Sequence, residues 1–378
     1  MTLSFGLALA GGGARGAYSA GVMRYIFGEL SPKMNRSLWP KLVSGTSVGA
    51  LNGYFAACHD IHEISRMTSI WQNLSINQIF SFYQGGTIGT IRYLVGASNR
   101  GYILSHEPLR QFKEREASRR SMRKSIASGK CKAYFVSATH LQTGVGTLFV
   151  ETADPNFRIP PPPFGTVIYE KIYPSHLIAS SAIPLLFPPE NINGQFFIDG
   201  GVRQNAPLHP VLYGGSDRIL VIGTRFSKSS PKENDSQPTL SHIAGKTLNA
   251  LTLDPIERDA RSTDLINSII DWGTKKYGAP FADDLYRDKG LRKTKVIQIQ
   301  PSADLGSLVM DCYKPELVDT HKNIKWLLNK LYFQGQNTGD SDLLSQILFD
   351  KCYTRVAEAL GYSDAKKQEA ELIDFFAG

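Results

Sequence analysis

The N-terminal part of the chain alternates between two spacings of apolar residues, which predicts an α/β sheet that starts near the first residue. Leu3 to Ala10 is a continuous apolar run closed by glycines, as in a strand buried on both faces. From about Arg15 to Glu29 apolar residues recur at helical spacing, and Ser31-Pro32 ends that helix. A short strand, Lys41 to Ser44, then precedes a second helix from Ser47 to Cys58. This alternation is typical of α/β proteins.

Downstream the pattern predicts more strands and a mainly helical C-terminal third from Asp311 onward. Residues 70–105 are rich in aromatic residues, are interrupted by glycines and show little regular pattern. We interpret them as a cap of short helices. Residues 159–164 contain four consecutive prolines and predict an extended surface loop, and residues 227–236 form a polar loop. The further strand candidates are Cys131–Thr139, Thr147–Glu151, Gln195–Ile198, Arg218–Gly223 and Lys295–Gln300.

Composition narrows the class of protein. Apolar residues make up 42% and charged residues 20% of the 378 residues, as in a folded globular protein. The four cysteines lie far apart without a CxxC pair, which argues against a disulfide scaffold or a thiolate zinc site and fits a reducing compartment. The net charge of +8 permits attraction to anionic surfaces, but it does not choose between a nucleic acid partner, a membrane and no such partner.

The chain shows no apolar run of about 18 residues, so we expect no transmembrane helix. Thr2 to Ala10 superficially resembles a signal peptide, but no positive charge precedes it. Three glycines follow it before a cleavage site could be placed, and we interpret the segment as a buried first strand. We therefore expect a cytoplasmic protein.

The first candidate site is the turn Gly11–Gly16, between the first strand and the first helix. Glycines allow a tight turn with exposed amides, and a helix N-terminus adds unpaired donors, so the turn suits an oxyanion or a phosphate. Dinucleotide binding would require an acidic residue at the end of the second strand. That strand ends in Ser44 to Ser47 with no carboxylate, which weakens this alternative.

The second candidate is Gly45-Thr46-Ser47-Val48-Gly49, the pattern of a nucleophile elbow. The alternative is that Ser47 merely caps the helix that follows it. We favour the elbow because the carboxyl ends of neighbouring parallel strands meet at one edge of a sheet, where such sheets bind ligands.

The third candidate is Asp199-Gly200-Gly201, which follows an apolar strand. Asp-Gly is an ordinary turn sequence, but an aspartate at this edge could also act on a nucleophile there. The chain order of α/β hydrolases would make His209, His242 or His321 the third member of a triad. No pattern selects any of them, and we favour a Ser–Asp dyad.

Taken together, these motifs resemble the patatin-like phospholipase family. The stretches Ala179 to Pro184 and Phe187 to Pro189 resemble the segment that precedes the family's aspartate. Asn205 and Pro207 also match the family's Asp-Gly-Gly-x-x-x-Asn-x-Pro. The resemblance covers residues 5–213, the predicted patatin-like domain. Residues 214–378 would be a C-terminal extension of unknown function, with one or two further strands and then mainly helices.

The resemblance implies a three-layer α/β/α sandwich with a mostly parallel central sheet, and a lipid acyl hydrolase that needs no metal or other cofactor. Ser47 would be the nucleophile and Asp199 its base, and the backbone amides of Gly12, Gly13 and Ala14 would form the oxyanion hole. The remaining motif positions would support these turns: Gly11, Arg15, Gly16, Gly45, Gly49, Gly200 and Gly201. For Arg15 we favour a role in fixing the glycine loop through backbone carbonyls over attraction of a lipid phosphate.

The expected substrates are phospholipids or lysophospholipids, and no nucleic acid partner is expected. Residues 70–105 could cap the acyl chain or form ordinary core. Arg110 to Lys132 carries nine basic residues against two glutamates, so this stretch could hold the protein on an anionic membrane or simply be solvated. The alternative function is a catalytically silent binding or regulatory module with the same fold. Oligomeric state is not indicated by the sequence.

Overall fold

The computed structural model describes residues 4–82, 104–117, 120–163, 165–184, 186–203, 208–226, 255–316, 318–336 and 341–377. The strands are β1 (Phe5–Leu9), β2 (Leu42–Thr46), β3 (Ser81–Phe82), β4 (Leu104–Ser105), β5 (Ala133–His140), β6 (Gly146–Thr152), β7 (Gly165–Tyr169), β8 (Glu190–Ile192), β9 (Gln195–Asp199), β10 (Arg218–Ile222) and β11 (Lys295–Ile299).

Helices surround the sheet along the whole described chain. They are α1 (Gly16–Tyr25), α2 (Val48–Ala57), α3 (Ile61–Asn73), α4 (Glu107–Ala117), α5 (Ser121–Ala127), α6 (Pro174–Ala179), α7 (Leu208–Tyr213), α8 (Pro255–Tyr277), α9 (Pro280–Lys289), α10 (Leu305–Cys312), α11 (Lys322–Gln336), α12 (Asp342–Ile347), α13 (Lys351–Lys367) and α14 (Glu369–Ala377). A π turn and the short helix Ser31–Lys33 extend α1, and a 3₁₀ turn at Ile76–Gln78 follows α3.

Within the described residues, nine strands form one mostly parallel sheet with the main order β11-β10-β1-β2-β5-β6-β7. The first five strands of this order are parallel to one another, whereas β6 runs antiparallel to β5. The hairpin β8–β9 joins the edge of β5 beyond the point where β2 ends. The predicted α/β fold with a mostly parallel central sheet is confirmed, as is the neighbouring placement of β1 and β2.

Each face of the sheet has its own apolar core, as expected for three layers. Along β1, Leu7 and Leu9 belong to the core beneath α1, α2 and α13, while Ala8 and Ala10 belong to the core beneath α7. Because successive side chains of a strand point to opposite faces, an uninterrupted apolar run is what a strand covered on both sides requires. The continuous apolar N-terminus therefore follows from its central position.

Residues beyond 213 contribute to the same sheet. β10 pairs with β1 and β11 pairs with β10, both in parallel. On one face α13 packs very closely on α1. A methyl group on Gly21 or Gly361 would collide with the backbone of the other helix. The division of the chain at residue 213 stays a prediction.

Several elements were not predicted from the sequence, among them β7, β8 and the amphipathic helix α3. Residues 83–103 of the predicted aromatic cap and the polar loop 227–236 lie outside the described residues. Among the helices that the structure describes, none combines the length and apolarity needed to cross a bilayer.

Candidate active site

Ser47 occupies the sharp turn between β2 and α2. Its backbone has φ 54° and ψ −125°, a conformation that residues other than glycine rarely adopt and that stores strain. Ser47 stands at the N-cap position of α2, but its side chain accepts no hydrogen bond from the amides of that helix. Helix capping therefore does not account for a serine at this strained position.

Two glycines allow the turn to be this tight. A methyl group on Gly49 would collide with the carbonyl oxygens of Leu9 and Ala10 at the end of β1, and one on Gly45 would collide with the backbone of Gly49. Backbone atoms cannot yield as a flexible side chain can. The Gly-x-Ser-x-Gly spacing is thus explained by close packing of the elbow on the first strand.

The glycine turn follows β1 beside the elbow. Gly12 and Gly13 have φ values of 142° and 57°, which glycine adopts without a steric penalty. A helical run begins at Gly13 and continues through α1, so the first backbone amides of the run lie at the turn. Gly13 and Ser47 both line the same pocket. Ala14 and Gly16 are buried.

The strand register brings the elbow and the predicted base together. On one edge of β5, Thr46 at the end of β2 lies opposite Ser137, and Asp199 at the end of β9 lies opposite Ala138. These are consecutive residues of β5, about 3.3 Å apart along the strand. The strands β2 and β9 therefore run towards each other along one edge and end at Ser47 and Asp199, two residues that are 152 positions apart in the sequence.

A buried serine ties the elbow to β5. The Ser47 amide donates to Oγ of Ser180 at 2.8 Å, and that hydroxyl donates to the carbonyl oxygen of Ser137 at 2.6 Å. The amide of Asp199 donates to the carbonyl of Ala182 at 2.9 Å. Ser180 lies in the stretch that resembles the family pattern, but no local sequence signal indicates a role for it. The structure makes it the direct link between the elbow and the strand that also holds β9.

The carboxylate of Asp199 is buried, with 4% of the residue exposed. Its Oδ1 accepts a hydrogen bond from the amide of Gly201 at 2.7 Å, which fixes the side-chain orientation. Gly200 packs so closely on β5 that a methyl group there would collide with the carbonyl of Ser137. Asn205 and Pro207, the last matching positions of this motif, lie outside the described residues.

The three histidines considered for a triad do not line the pocket as far as the structure describes it. Nε2 of His209 lies 2.9 Å from the Pro160 carbonyl oxygen, and burial lowers the pKa of this imidazole. His321 is exposed immediately before α11, and His242 is outside the described residues. Among the described side chains, no group of three or more His, Cys, Asp or Glu residues is placed to hold a metal ion.

An apolar pocket ends at Ser47 and Gly13. The space between its walls, counted out through its open mouth into solvent, is about 730 Å³. Three parts of the chain supply most of its wall: α2, α3 with the turn that follows it, and the end of α12 with Phe349. The apolar lining residues are Val48, Leu51, Phe55, Met67, Ile70, Trp71, Leu74, Ile79, Phe80, Leu109, Ile183, Phe187, Ile347 and Phe349.

The described part of the predicted cap contributes to this pocket. Ile70, Trp71, Leu74, Ile79 and Phe80 line it, and four of these five are fully buried members of the main core. The two interpretations of the segment are therefore compatible, since one set of side chains forms both core and pocket wall.

The C-terminal segment reaches the site in a way that the sequence did not indicate. Gln346, Ile347 and Phe349 line the pocket opposite Ser47. The carbonyl oxygen of Gln346 packs on Gly13 so closely that a methyl group on Gly13 would collide with it. Contacts between segments more than 300 residues apart leave no local pattern in a single sequence.

Arg15 is buried and joins the glycine turn to α12. Its Nη2 lies 2.9 Å from a carboxylate oxygen of Asp342, and its Nε donates to Oγ of Ser345 at 2.8 Å. The guanidinium also approaches the carbonyl oxygen of Asp342 at 3.4 Å. A structural role was favoured for Arg15, but its partners are a carboxylate and a hydroxyl of the C-terminal region rather than carbonyls of the glycine loop.

Part of the basic stretch 110–132 is engaged within the protein. Arg110 forms two hydrogen bonds with the buried carboxylate of Glu190, at 2.6 and 3.0 Å. Arg123 lies 3.6 Å from Glu151 and over the ring of Tyr173. These guanidinium groups stabilise α4 and α5 against the sheet, which reduces the charge that this stretch presents to solvent.

Comparison with known proteins identifies the family. The patatin-like phospholipase family model matches residues 7–212, more than half of the chain, and the protein belongs to this family. Among solved structures, the crystal structure of VipD from Legionella pneumophila aligns with 98% of this chain and 67% of that chain, with 13% sequence identity and a TM-score of 0.37. The family relationship therefore rests on the sequence match over residues 7–212.

Proposed function

We propose that this protein is a lipid acyl hydrolase of the phospholipase A or lysophospholipase type, with Ser47 as nucleophile and Asp199 as its base. Membership of the patatin-like phospholipase family supports hydrolysis of lipid esters. One observation supports the residue assignment: β2 and β9 end against consecutive residues of β5, so that the turns carrying Ser47 and Asp199 lie at the same edge of that strand.

In the proposed reaction, the Ser47 oxygen attacks the ester carbonyl carbon while the carboxylate of Asp199 accepts the hydroxyl proton. Backbone amides of Gly12, Gly13 and Ala14 stabilise the oxyanion, each donor contributing about 3 kcal/mol. The bond from the acyl carbon to the leaving alcohol then breaks, and the alcohol takes the proton from Asp199. Water attacks the acyl-enzyme with the same base, which releases the fatty acid and restores the serine.

The pocket supports an acyl chain as the recognised part of the substrate. Its wall is almost entirely aliphatic and aromatic, and Ser47 stands at its polar end. Burial of a hydrocarbon chain in such a pocket contributes about 0.8 kcal/mol for each methylene group. An ester of a long-chain fatty acid would thus place its carbonyl at Ser47 with its chain among these side chains.

Fluorophosphonate labelling combined with mass spectrometry of products from mixed phospholipid vesicles tests the proposal. The wild type should become labelled and release fatty acid, and Ser47→Ala should lose both, with turnover reduced at least about 1,000-fold. Asp199→Asn should stay folded with much reduced turnover. Ser181→Ala is the matched control, because Ser181 also lines the pocket but its hydroxyl donates to the Leu177 carbonyl at 2.9 Å.

Retention of label by Ser47→Ala, or its loss in Ser181→Ala alone, would refute the assignment of the nucleophile. A folded wild type that never becomes labelled and releases no product would instead favour a silent binding module. Contact with an anionic membrane is part of the proposal, since the lipid substrate lies in a bilayer. Vesicle binding that survives neutralisation of Arg119, Arg120, Arg123 and Lys124 would exclude the basic stretch from that contact.

A further inference from the structure

Helix α11 already buries a complete apolar face. Ile324, Leu328, Leu331 and Gly335 recur at helical spacing and are buried against the core. Tyr313 donates to Oδ1 of Asn329 at 2.6 Å and adds a polar contact on the same helix. The packing needs of an amphipathic helix are therefore met by its inner side.

The outer side of α11 carries aromatic residues that the core does not use. Trp326 is 59% exposed and Phe333 is 57% exposed. They are seven residues apart, two helical turns, so both project on one side, with Lys322 and Lys330 in the same row. We call these four residues, Lys322, Trp326, Lys330 and Phe333, the outer face of α11.

The charge of α11 is of one sign. The helix contains three lysines, at positions 322, 325 and 330, and no aspartate or glutamate; Asp319 lies before the helix begins. The Lys330 ammonium lies 5.3 Å from the centre of the Trp326 ring. Lysines beside exposed aromatic residues are the combination that favours the interface of an anionic bilayer.

A second exposed tryptophan offers an internal comparison. On α8, Trp272 is 55% exposed and the Lys276 ammonium lies 5.1 Å from its ring. This helix also carries Asp264 and Asp271, and Asp271 pairs with Lys293 at 2.7 Å. Its mixed charge is not complementary to an anionic surface, although the geometry of its tryptophan and lysine is nearly the same.

The residues just before α11 lie next to the pocket wall. Asn77 accepts a hydrogen bond from the Thr320 hydroxyl at 2.7 Å and donates to the carbonyl of Asp319 at 3.3 Å, just before α11 begins. Two residues further along the chain, Ile79 and Phe80 line the pocket. A membrane that binds α11 would therefore also lie close to the wall of the pocket.

We propose that the outer face of α11 docks the protein onto the surface of an anionic phospholipid bilayer. Trp326 and Phe333 would enter the interfacial region, while Lys322 and Lys330 contact the headgroup phosphates. The proposal rests on the proposed function for its purpose, because docking here would bring the pocket to its lipid substrate, but it concerns binding and needs no turnover.

Sedimentation of the full chain with vesicles of equal parts phosphatidylcholine and phosphatidylglycerol tests the proposal. We expect Trp326→Ser with Phe333→Ser to weaken partitioning at least about tenfold. Lys322→Gln with Lys330→Gln should weaken it about fivefold for each lysine, and only on anionic vesicles. Trp272→Ser should bind as the wild type does. In a Trp272→Phe background, vesicles should shift the tryptophan emission to the blue, and a further Trp326→Phe change should remove this shift.

Equal loss of binding in Trp272→Ser, or unchanged binding in the α11 variants, would overturn the proposal. A wild type that ignores vesicles but self-associates through this face would also overturn it. Hydrolysis of a water-soluble short-chain ester separates the two proposals. The α11 variants should retain this activity, which also reports a folded active site. If no ester is hydrolysed but the vesicle results hold, the proposed function fails and the docking surface stands.

Discussion

The two turns that meet at the pocket are supported by different parts of the chain. The elbow at Ser47 packs on Leu9 and Ala10, and its amide is held by Ser180, all within the segment matched by the family. The glycine turn packs on Gln346, and Arg15 pairs with Asp342, both beyond that segment. One turn is thus supported within the matched segment, and the other depends on the C-terminal extension.

This difference gives the extension a physical role. The backbone amides proposed as the oxyanion hole belong to the turn that α12 holds, whereas the proposed nucleophile and base are both held by β5. Substitutions in the extension should therefore weaken stabilisation of the transition state more than they disturb the nucleophile.

The largest effect is expected from Arg15→Met. Removal of the guanidinium leaves the Asp342 carboxylate, of which 11% is exposed, without its cation. Loss of one partner of a buried pair costs about 3–5 kcal/mol, so the free energy of unfolding should fall by that amount. Turnover should fall with it, because the glycine turn loses its attachment to α12. Urea unfolding and ester hydrolysis measure the two effects.

Arg24→Met is the control for this prediction. Arg24 lies in the last turn of α1 and pairs at 2.6 Å with Glu358, whose side chain is 3% exposed. Arg24→Met also leaves a buried carboxylate without its cation, so it should lower stability by a comparable amount but leave turnover of the folded protein unchanged. If both variants lower turnover equally, Arg15 acts through general stability and not through the glycine turn.

Acid should destabilise β2 and α2, the two elements that carry the elbow, at the ends away from Ser47. His59 follows α2, and its Nε2 lies 2.8 Å from the Pro40 carbonyl oxygen just before β2. Burial, with a smaller contribution from Lys41 and Lys130, lowers the pKa of His59 from 6.5 to about 4. The unfolded chain therefore binds a proton more readily than the native protein does as pH falls from about 6.5 to about 4.

This difference should remove about 3 kcal/mol of the free energy of unfolding by about pH 4. Urea unfolding at a series of pH values measures the slope. His59→Gln, which cannot take up a proton, should lose this part of the pH dependence. The same slope in both proteins would show that His59 is not the group responsible.

Contacts within a short stretch of sequence could be predicted, whereas contacts between distant stretches could not. The elbow was predictable because Gly45, Ser47 and Gly49 stand within one short motif, and the pairing of β1 with β2 followed from alternating strands and helices. The support of the glycine turn was not, because Arg15 and Asp342 are separated by 327 positions. An arginine that will be buried and paired looks the same in sequence as one in solvent.

Strain separates the two turns in a last respect. The glycine turn gives its positive φ values to Gly12 and Gly13, which adopt them at no steric cost, whereas the elbow places a serine at φ 54°. Ser47→Gly should therefore be more stable than Ser47→Ala, by about 1 kcal/mol, because alanine keeps the Cβ that causes the strain. Both variants lack the hydroxyl, so loss of activity cancels in the comparison. A urea midpoint of Ser47→Ala equal to or above that of Ser47→Gly would mean that a Cβ at this position costs no stability. The elbow would then be no more strained than the glycine turn.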